Sequence, residues 1–218
     1  MNKILVVAVY PDDETLGCGG TLLKHKANGD EIYWLIITGL DDRFDEKIIK
    51  KREEEIIKVS KMYNFDDIYK LDFPTMKVDE LSMSKLISKI SKVFNQVQPN
   101  IIYLPFKNDV HSDHRKVFEA TYSCTKTFRY NFIQKIYMME TLSETDFADI
   151  TYNFIPNVFV DITNFFDKKI QIMRIYKSEL GEHPFPRSIE TIEALSKIRG
   201  AQAGCKFAES FMLLKEIK

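Results

Sequence analysis

The chain lacks paired cysteines, a long apolar run and an excess of either charge. Its three cysteines, Cys18, Cys124 and Cys205, are odd in number and show no CxxC spacing. That excludes a disulfide framework and a thiolate zinc site, and the thiols read as reduced and mostly buried. No stretch approaches the roughly 18 apolar residues that a bilayer crossing requires. The opening apolar run feeds Pro11-Asp12-Asp13-Glu14 and reads as a strand entering a loop, not as a signal peptide, so a cytoplasmic location is expected. With 31 basic and 32 acidic side chains and a formal charge of -1, there is no broad attraction for nucleic acid or an anionic membrane. Repeats, low-complexity tracts and Pro/Gly-rich linkers are also missing, so residues 1–218 are expected to form a single domain. No interface pattern stands out, and a homo-oligomer is compatible with the sequence.

What is present is an alternation of two periods. Apolar runs at 4–9, 32–37 and 101–104 are rich in β-branched or aromatic residues and read as buried strands. Between them, 45–63 places Ile48, Ile49, Ile56, Val59 and Met62 against a Lys/Glu face, and 81–97 does the same with Leu86, Ile90, Val93 and Phe94. A helix is expected at 114–127 and strands near 135–140 and 157–162. The stretch 141–156 reads as an irregular loop. Two helices, 164–176 and 188–199, are expected to close the chain, the second capped by Ser188. The pattern predicts an α/β, Rossmann-like three-layer sandwich with a largely parallel sheet. His25 falls on the polar side of the first helix and reads as solvated.

Two clusters carry the chemistry. Tyr10-Pro11-Asp12-Asp13-Glu14-Thr15-Leu16-Gly17-Cys18-Gly19-Gly20 follows the first strand, where ligands sit in an open parallel sheet. Adjacent carboxylates repel one another unless a cation, protons or hydrogen-bond donors offset the cost. A helix N-terminus accounts for one or two acids, but less readily for three followed by a glycine-rich turn. The second cluster, Asn108-Asp109-Val110-His111-Ser112-Asp113-His114-Arg115, follows another strand. Its two histidines with interleaved acids can supply a metal ligand, an electrophilic imidazole and carboxylates that fix tautomers. The simpler reading is a helix start capped by Asp113, with incidental histidines. Because both clusters follow strands of one sheet, they can converge on an open hydrolytic metal centre.

These segments resemble the LmbE/PIG-L family of zinc-dependent N-deacetylases, whose first motif runs Ala-His-Pro-Asp-Asp-Glu into Leu-Gly-x-Gly-Gly and whose second is His-x-Asp-His. Further likeness lies in Arg52-Glu53-Glu54-Glu55 and in the segment from Arg199-Gly200-Ala201-Gln202 to Phe207-Ala208-Glu209-Ser210-Phe211. The resemblance implies Zn²⁺ or another divalent metal on Asp13 and His114, Asp12 as the general base on the hydrolytic water, and His111 as the group that stabilises the oxyanion or protonates the leaving amine. It implies an N-acetylated sugar or sugar conjugate as substrate. Asp113 is expected to orient a histidine. Arg52 and Arg187 are candidate substrate contacts, with His183 beside the latter, although a solvated helix face and a rigid loop explain them too. Glu209 fits the family pattern or a buried partner for an arginine.

The chain departs from the family at Tyr10, which stands where a metal-binding histidine is expected. A phenol with an ordinary pKa near 10 is a poor ligand unless the metal drives its deprotonation. Three readings stay open: ligation as phenolate, metal held by Asp13, His114 and water, or a metal-free relative that binds carbohydrate without hydrolysing it. A nucleotide-binding oxidoreductase is disfavoured, because GxGxxG order is missing and the three carboxylates would repel a pyrophosphate.

Overall fold

The continuous apolar runs form the centre of one sheet. The computed structural model describes residues 1–218. Its strands are β1 (Lys3–Ala8), β2 (Glu31–Gly39), β3 (Asp67–Pro74), β4 (Ile101–Leu104), β5 (Lys135–Met139), β6 (Val158–Asp161) and β7 (Ala208–Glu216), arranged in the order β3-β2-β1-β4-β5-β7-β6. The first five pair in parallel, and β7 runs antiparallel to both β5 and β6. The helices are α1 (Asp13–Ala27), α2 (Glu46–Tyr63), α3 (Met83–Val97), α4 (Ser112–Ser123), α5 (Phe166–Met173) and α6 (Ile189–Ala203). None is long and apolar enough to cross a membrane.

Period-two alternation along β1 divides the core. Ile4, Val6 and Ala8 pack with apolar side chains of α1, α2, α5 and α6, whereas Leu5, Val7 and Val9 face α3 and α4. Both sets are fully buried, as strands covered on two faces must be. The three-layer, largely parallel sandwich expected from the sequence is therefore the fold. Strand order reverses between β1 and β4, so the loops after these strands open onto the crevice where ligands bind in such sheets.

Two strands were not anticipated. β3 is an edge strand in which only Phe73 is buried, so it shows no apolar run. β7 follows α6 and inserts between β5 and β6; the chain thus closes on a strand, not on two helices. The expected solvated His25 is also corrected: its Nδ1 lies 2.8 Å from Asp30 Oδ2 and its Nε2 lies 3.0 Å from the Tyr103 hydroxyl.

The glycine-rich start of α1 has a packing cause. A Cβ on Gly17 would stand 2.9 Å from Met139 Cβ, and one on Gly20 would stand 2.7 Å from Ile162 Cβ, so only glycine lets the helix approach the sheet this closely. The helix kinks at Cys18, and side chains take over the hydrogen bonding around the kink. Glu209 accepts from the backbone N–H groups of Gly20 (2.8 Å) and Thr21 (2.7 Å), while Lys169 donates to the Leu16 carbonyl (3.0 Å) and to Glu209 (2.7 Å). The buried partner of Glu209 is thus a lysine, and the pair is satisfied on both sides, as a buried ion pair requires.

Candidate active site

The loop leaving β1 aims its acids in different directions. The Asp13 carboxylate turns back and accepts the N–H groups of Val9 and Tyr10 through Oδ2, both at 2.8 Å. Asp12 has φ 139°, a conformation that non-glycine residues adopt at a cost of about 1–3 kcal/mol and that clusters at functional sites. Its N–H donates to Glu14 Oε2 at 3.0 Å, and its side chain does not cap α1. Burial, with Asp13 and Glu179 adding repulsion, holds the Asp12 carboxyl well above the usual carboxylate range. Glu14 is fully buried and receives the hydroxyls of Thr15 and Tyr176; burial pushes its pKa up to about 7.

The loop after β4 brings in the imidazoles. His114 is fully buried. Its Nδ1 lies 2.9 Å from Asp109 Oδ2, and Asp109 Oδ1 accepts from Thr145 Oγ1 at 2.7 Å. Its Nε2 has no hydrogen-bond partner and lies 3.5 Å from Asp13 Oδ2. Burial alone would strip the charge from this ring, but Asp13 and Asp109 reverse the effect and raise its pKa to about 9. His111, not Asp113, is the N-cap of α4: its Nδ1 accepts the Asp113 N–H at 3.1 Å. The ring's proton therefore resides on Nε2, which lies 3.0 Å from the Tyr10 hydroxyl. Tyr10 donates in turn to Asp113 Oδ2 at 2.8 Å, while Asp113 Oδ1 accepts from the backbone of Val78 and Asp79.

A cavity of about 440 Å³ lies over these loops, within the usual range for small-molecule sites. Tyr10, Asp12, Asp13, His111, Arg52 and Arg187 line it, so six of the eight site residues singled out in the sequence reach one space; His114 and Asp113 are fully buried. The two arginines are already engaged. Arg52 donates to the Pro11 carbonyl at 2.9 Å and pairs with Glu179. Arg187 donates to Ser143 Oγ at 2.7 Å and to the Glu179 carbonyl at 2.9 Å. His183 is exposed and does not line the cavity.

Four residues of the site were given no role from the sequence. Asp109 and Glu14 lie inside the two clusters, but spacing alone does not tell a backing carboxylate from a cap. Glu144 and Glu179 come from stretches without periodicity. Glu144 lines the cavity, and its Oε2 has no partner; burial raises its pKa to about 7.

The donor set fits a divalent cation in two places and not in the third. His114 presents an unpartnered buried nitrogen beside the Asp13 carboxylate, and Asp109 backs its other nitrogen as carboxylates back metal-binding histidines. Tyr10 does not fit. Its hydroxyl donates to Asp113, and burial together with Asp113 holds the phenol well above its ordinary pKa.

The chain is similar to several known proteins. Diacetylchitobiose deacetylase of Thermococcus kodakarensis is 23% identical over 232 residues, covering 100% of this chain and 85% of that protein. A conserved protein of Thermus thermophilus superposes with a TM-score of 0.81 at 23% identity, over 100% of this chain and 97% of the other. The 4-carboxy-2-hydroxymuconate hydratase of Pseudomonas putida superposes with a TM-score of 0.78 at 15% identity, over 100% and 98% of the two chains, so the fold by itself does not fix the reaction. The family model described as PIG-L, GlcNAc-PI de-N-acetylase, matches residues 5–125, more than half of the 218 residues: the chain belongs to the PIG-L family.

Proposed function

We propose that the chain hydrolyses the N-acetyl group of an amino sugar or sugar conjugate, giving acetate and a free amine. The observation that carries this reading is the buried Asp12 carboxyl, which leaves α1 uncapped and faces the same cavity as Asp13 and His111. Asp12 takes a proton from the attacking water, and its raised pKa makes it the stronger base for that task. The water oxygen bonds to the acyl carbon, the amide C–N bond breaks, and the nitrogen leaves with the proton that Asp12 took from the water. His111, whose Nε2 carries the hydrogen, is the donor for charge developing on the amide oxygen. Asp13 and His114 would hold a divalent metal, zinc by family likeness, which when bound supplies Lewis-acid polarisation and lowers the pKa of water. An acetylated sugar is the substrate class because the Thermococcus relative is named for diacetylchitobiose.

A second reading is favoured by Tyr10, whose hydroxyl donates to Asp113: a carbohydrate-binding relative without a tightly held metal. Acetate release from a panel of acetamido sugars, N,N'-diacetylchitobiose included, separates the two when the protein is equilibrated with zinc and its metal content is measured. Acetate from the unmodified protein and none from Asp12→Asn supports the deacetylase. Sugar binding without acetate, unchanged in a Tyr10→His variant that gains metal, would establish the binding protein.

A further inference from the structure

The cavity has two dissimilar halves, and strand order separates them. Asp12, Asp13 and His111 follow β1 and β4, where the order reverses, whereas Leu40 and Phe44 follow β2 and Met76 follows the edge strand β3. The space therefore runs along the carboxyl edge of the sheet, from the reacting groups towards β3. Helix α2 borders it as well. Ile48, Arg52 and Ile56 are spaced four apart and so share one helix face, and all three line the cavity. Ile56 is buried, but Ile48 in the first turn is 52% exposed.

Met76 is 59% exposed and has φ 59°, a conformation that is unfavourable for a non-glycine residue and recurs where ligands are gripped. Its unbranched thioether adapts to irregular apolar shapes. Leu40 and Phe44 are partly buried. Four apolar side chains thus border this half while water still reaches them, and such a surface gains free energy when an apolar group covers it.

Charge points the same way. One lysine and two arginines line the cavity, and each is already paired: Arg52 and Arg187 with Glu179, and Lys70 with Glu53 at 2.6 Å. Arg52 also donates to the Pro11 carbonyl, and Arg187 to Ser143 Oγ. A phosphate or carboxylate on the substrate would have to displace one of these glutamates.

We propose that the amino sugar carries an uncharged apolar aglycone, which lies over Leu40, Phe44, Ile48 and Met76 while the acetamido group meets Asp12 and His111. This rests on the deacetylase reading and names its substrate class.

Hexyl and methyl β-glycosides of glucosamine have no acetyl group to lose, so calorimetry with the full chain measures their binding without turnover. A methylene removed from water is worth up to about fourfold in affinity. Over an open surface, the hexyl glycoside is expected to bind at least about tenfold more tightly than the methyl glycoside. Ile48→Ser and Met76→Ser alter exposed side chains, and each is expected to cut that ratio about threefold. Glucosamine 1-phosphate is expected to bind no more tightly than the methyl glycoside. A hexyl-to-methyl ratio near one would overturn the proposal, as would a ratio that neither substitution changes. Tighter binding of the phosphate than of the hexyl glycoside, or no binding of either glycoside, would overturn it too. The deacetylase reading fails separately, if the N-acetylated hexyl and methyl glycosides release no acetate, while the ratio still decides the apolar subsite.

Discussion

The two ends of the sheet each hold a histidine backed by an aspartate, partly buried at one end and fully buried at the other, and only one of the two has both ring nitrogens partnered. At the amino edge, His25 has Asp30 at 2.8 Å from Nδ1 and the Tyr103 hydroxyl at 3.0 Å from Nε2. At the carboxyl edge, His114 has Asp109 at 2.9 Å from Nδ1 and nothing on Nε2. A buried polar atom without a partner costs about 1–3 kcal/mol. The fold meets this cost at the His114 edge and avoids it at the His25 edge, a difference that a bound ligand at His114 would remove. The difference teaches that two histidines with the same carboxylate backing are told apart by the ring nitrogen left unpartnered.

The largest expected effect comes from the general base of the proposed reaction. Asp12→Asn should lower kcat/KM for acetate release by about 10²- to 10⁴-fold, the usual contribution of a general base, with no loss of thermal stability. A variant that retained full activity would remove Asp12 from the mechanism.

The same substitution made at each edge breaks the comparison most directly. Asp109→Asn should weaken zinc affinity by about 10- to 100-fold, as loss of a carboxylate behind a ligating histidine does, and activity should fall with it. Competition against a chromogenic chelator reads this. Asp30→Asn should leave zinc and activity unchanged and lower stability to urea by about 1–3 kcal/mol. Were Asp30→Asn to reduce activity as much as Asp109→Asn, the two edges would not differ in kind.

The smallest effect is in pH dependence, and its sign differs between the edges in protein freed of metal. The pKa of His25 is lowered from its ordinary 6.5 by burial, against the pull of Asp30. Below 6.5 the unfolded state then binds more protons than the folded state, so this contribution is present above 6.5 and is lost as pH falls. The pKa of His114 is raised to about 9. Its contribution is present below 6.5 and is lost as pH rises through about 9. Urea midpoints followed from pH 5 to 10, each compared with the matching aspartate variant, isolate the two histidines from the raised carboxyls of Glu14 and Glu144. Parallel slopes at the two edges would contradict the assignment.

Much of this was legible before any coordinates. The apolar runs of β1, β2 and β4 announce strands covered on both faces, because no other element buries every successive side chain over so short a length. The cap at Ser188 is present as read, with its hydroxyl accepting the Thr191 N–H at 3.0 Å. What escaped were elements whose environment is not written locally. β3 lies at an edge and keeps its charges, β7 reaches its partners across the whole chain, and His25 meets Tyr103 from a position 78 residues away.

The sequence by itself determined the layer architecture, the strands that end at the site and the acids and imidazoles gathered there, since periodicity and short-range spacing carry that information. Only the tertiary structure decided that Asp109 backs His114, that Glu144 and Glu179 join the cavity, that Lys169 answers Glu209, and that the Tyr10 hydroxyl donates to Asp113 beside the His111 ring. Those pairings depend on which atoms meet in space once the crossovers are made, and hydrogen bonding is satisfied by proximity, not by order along the chain.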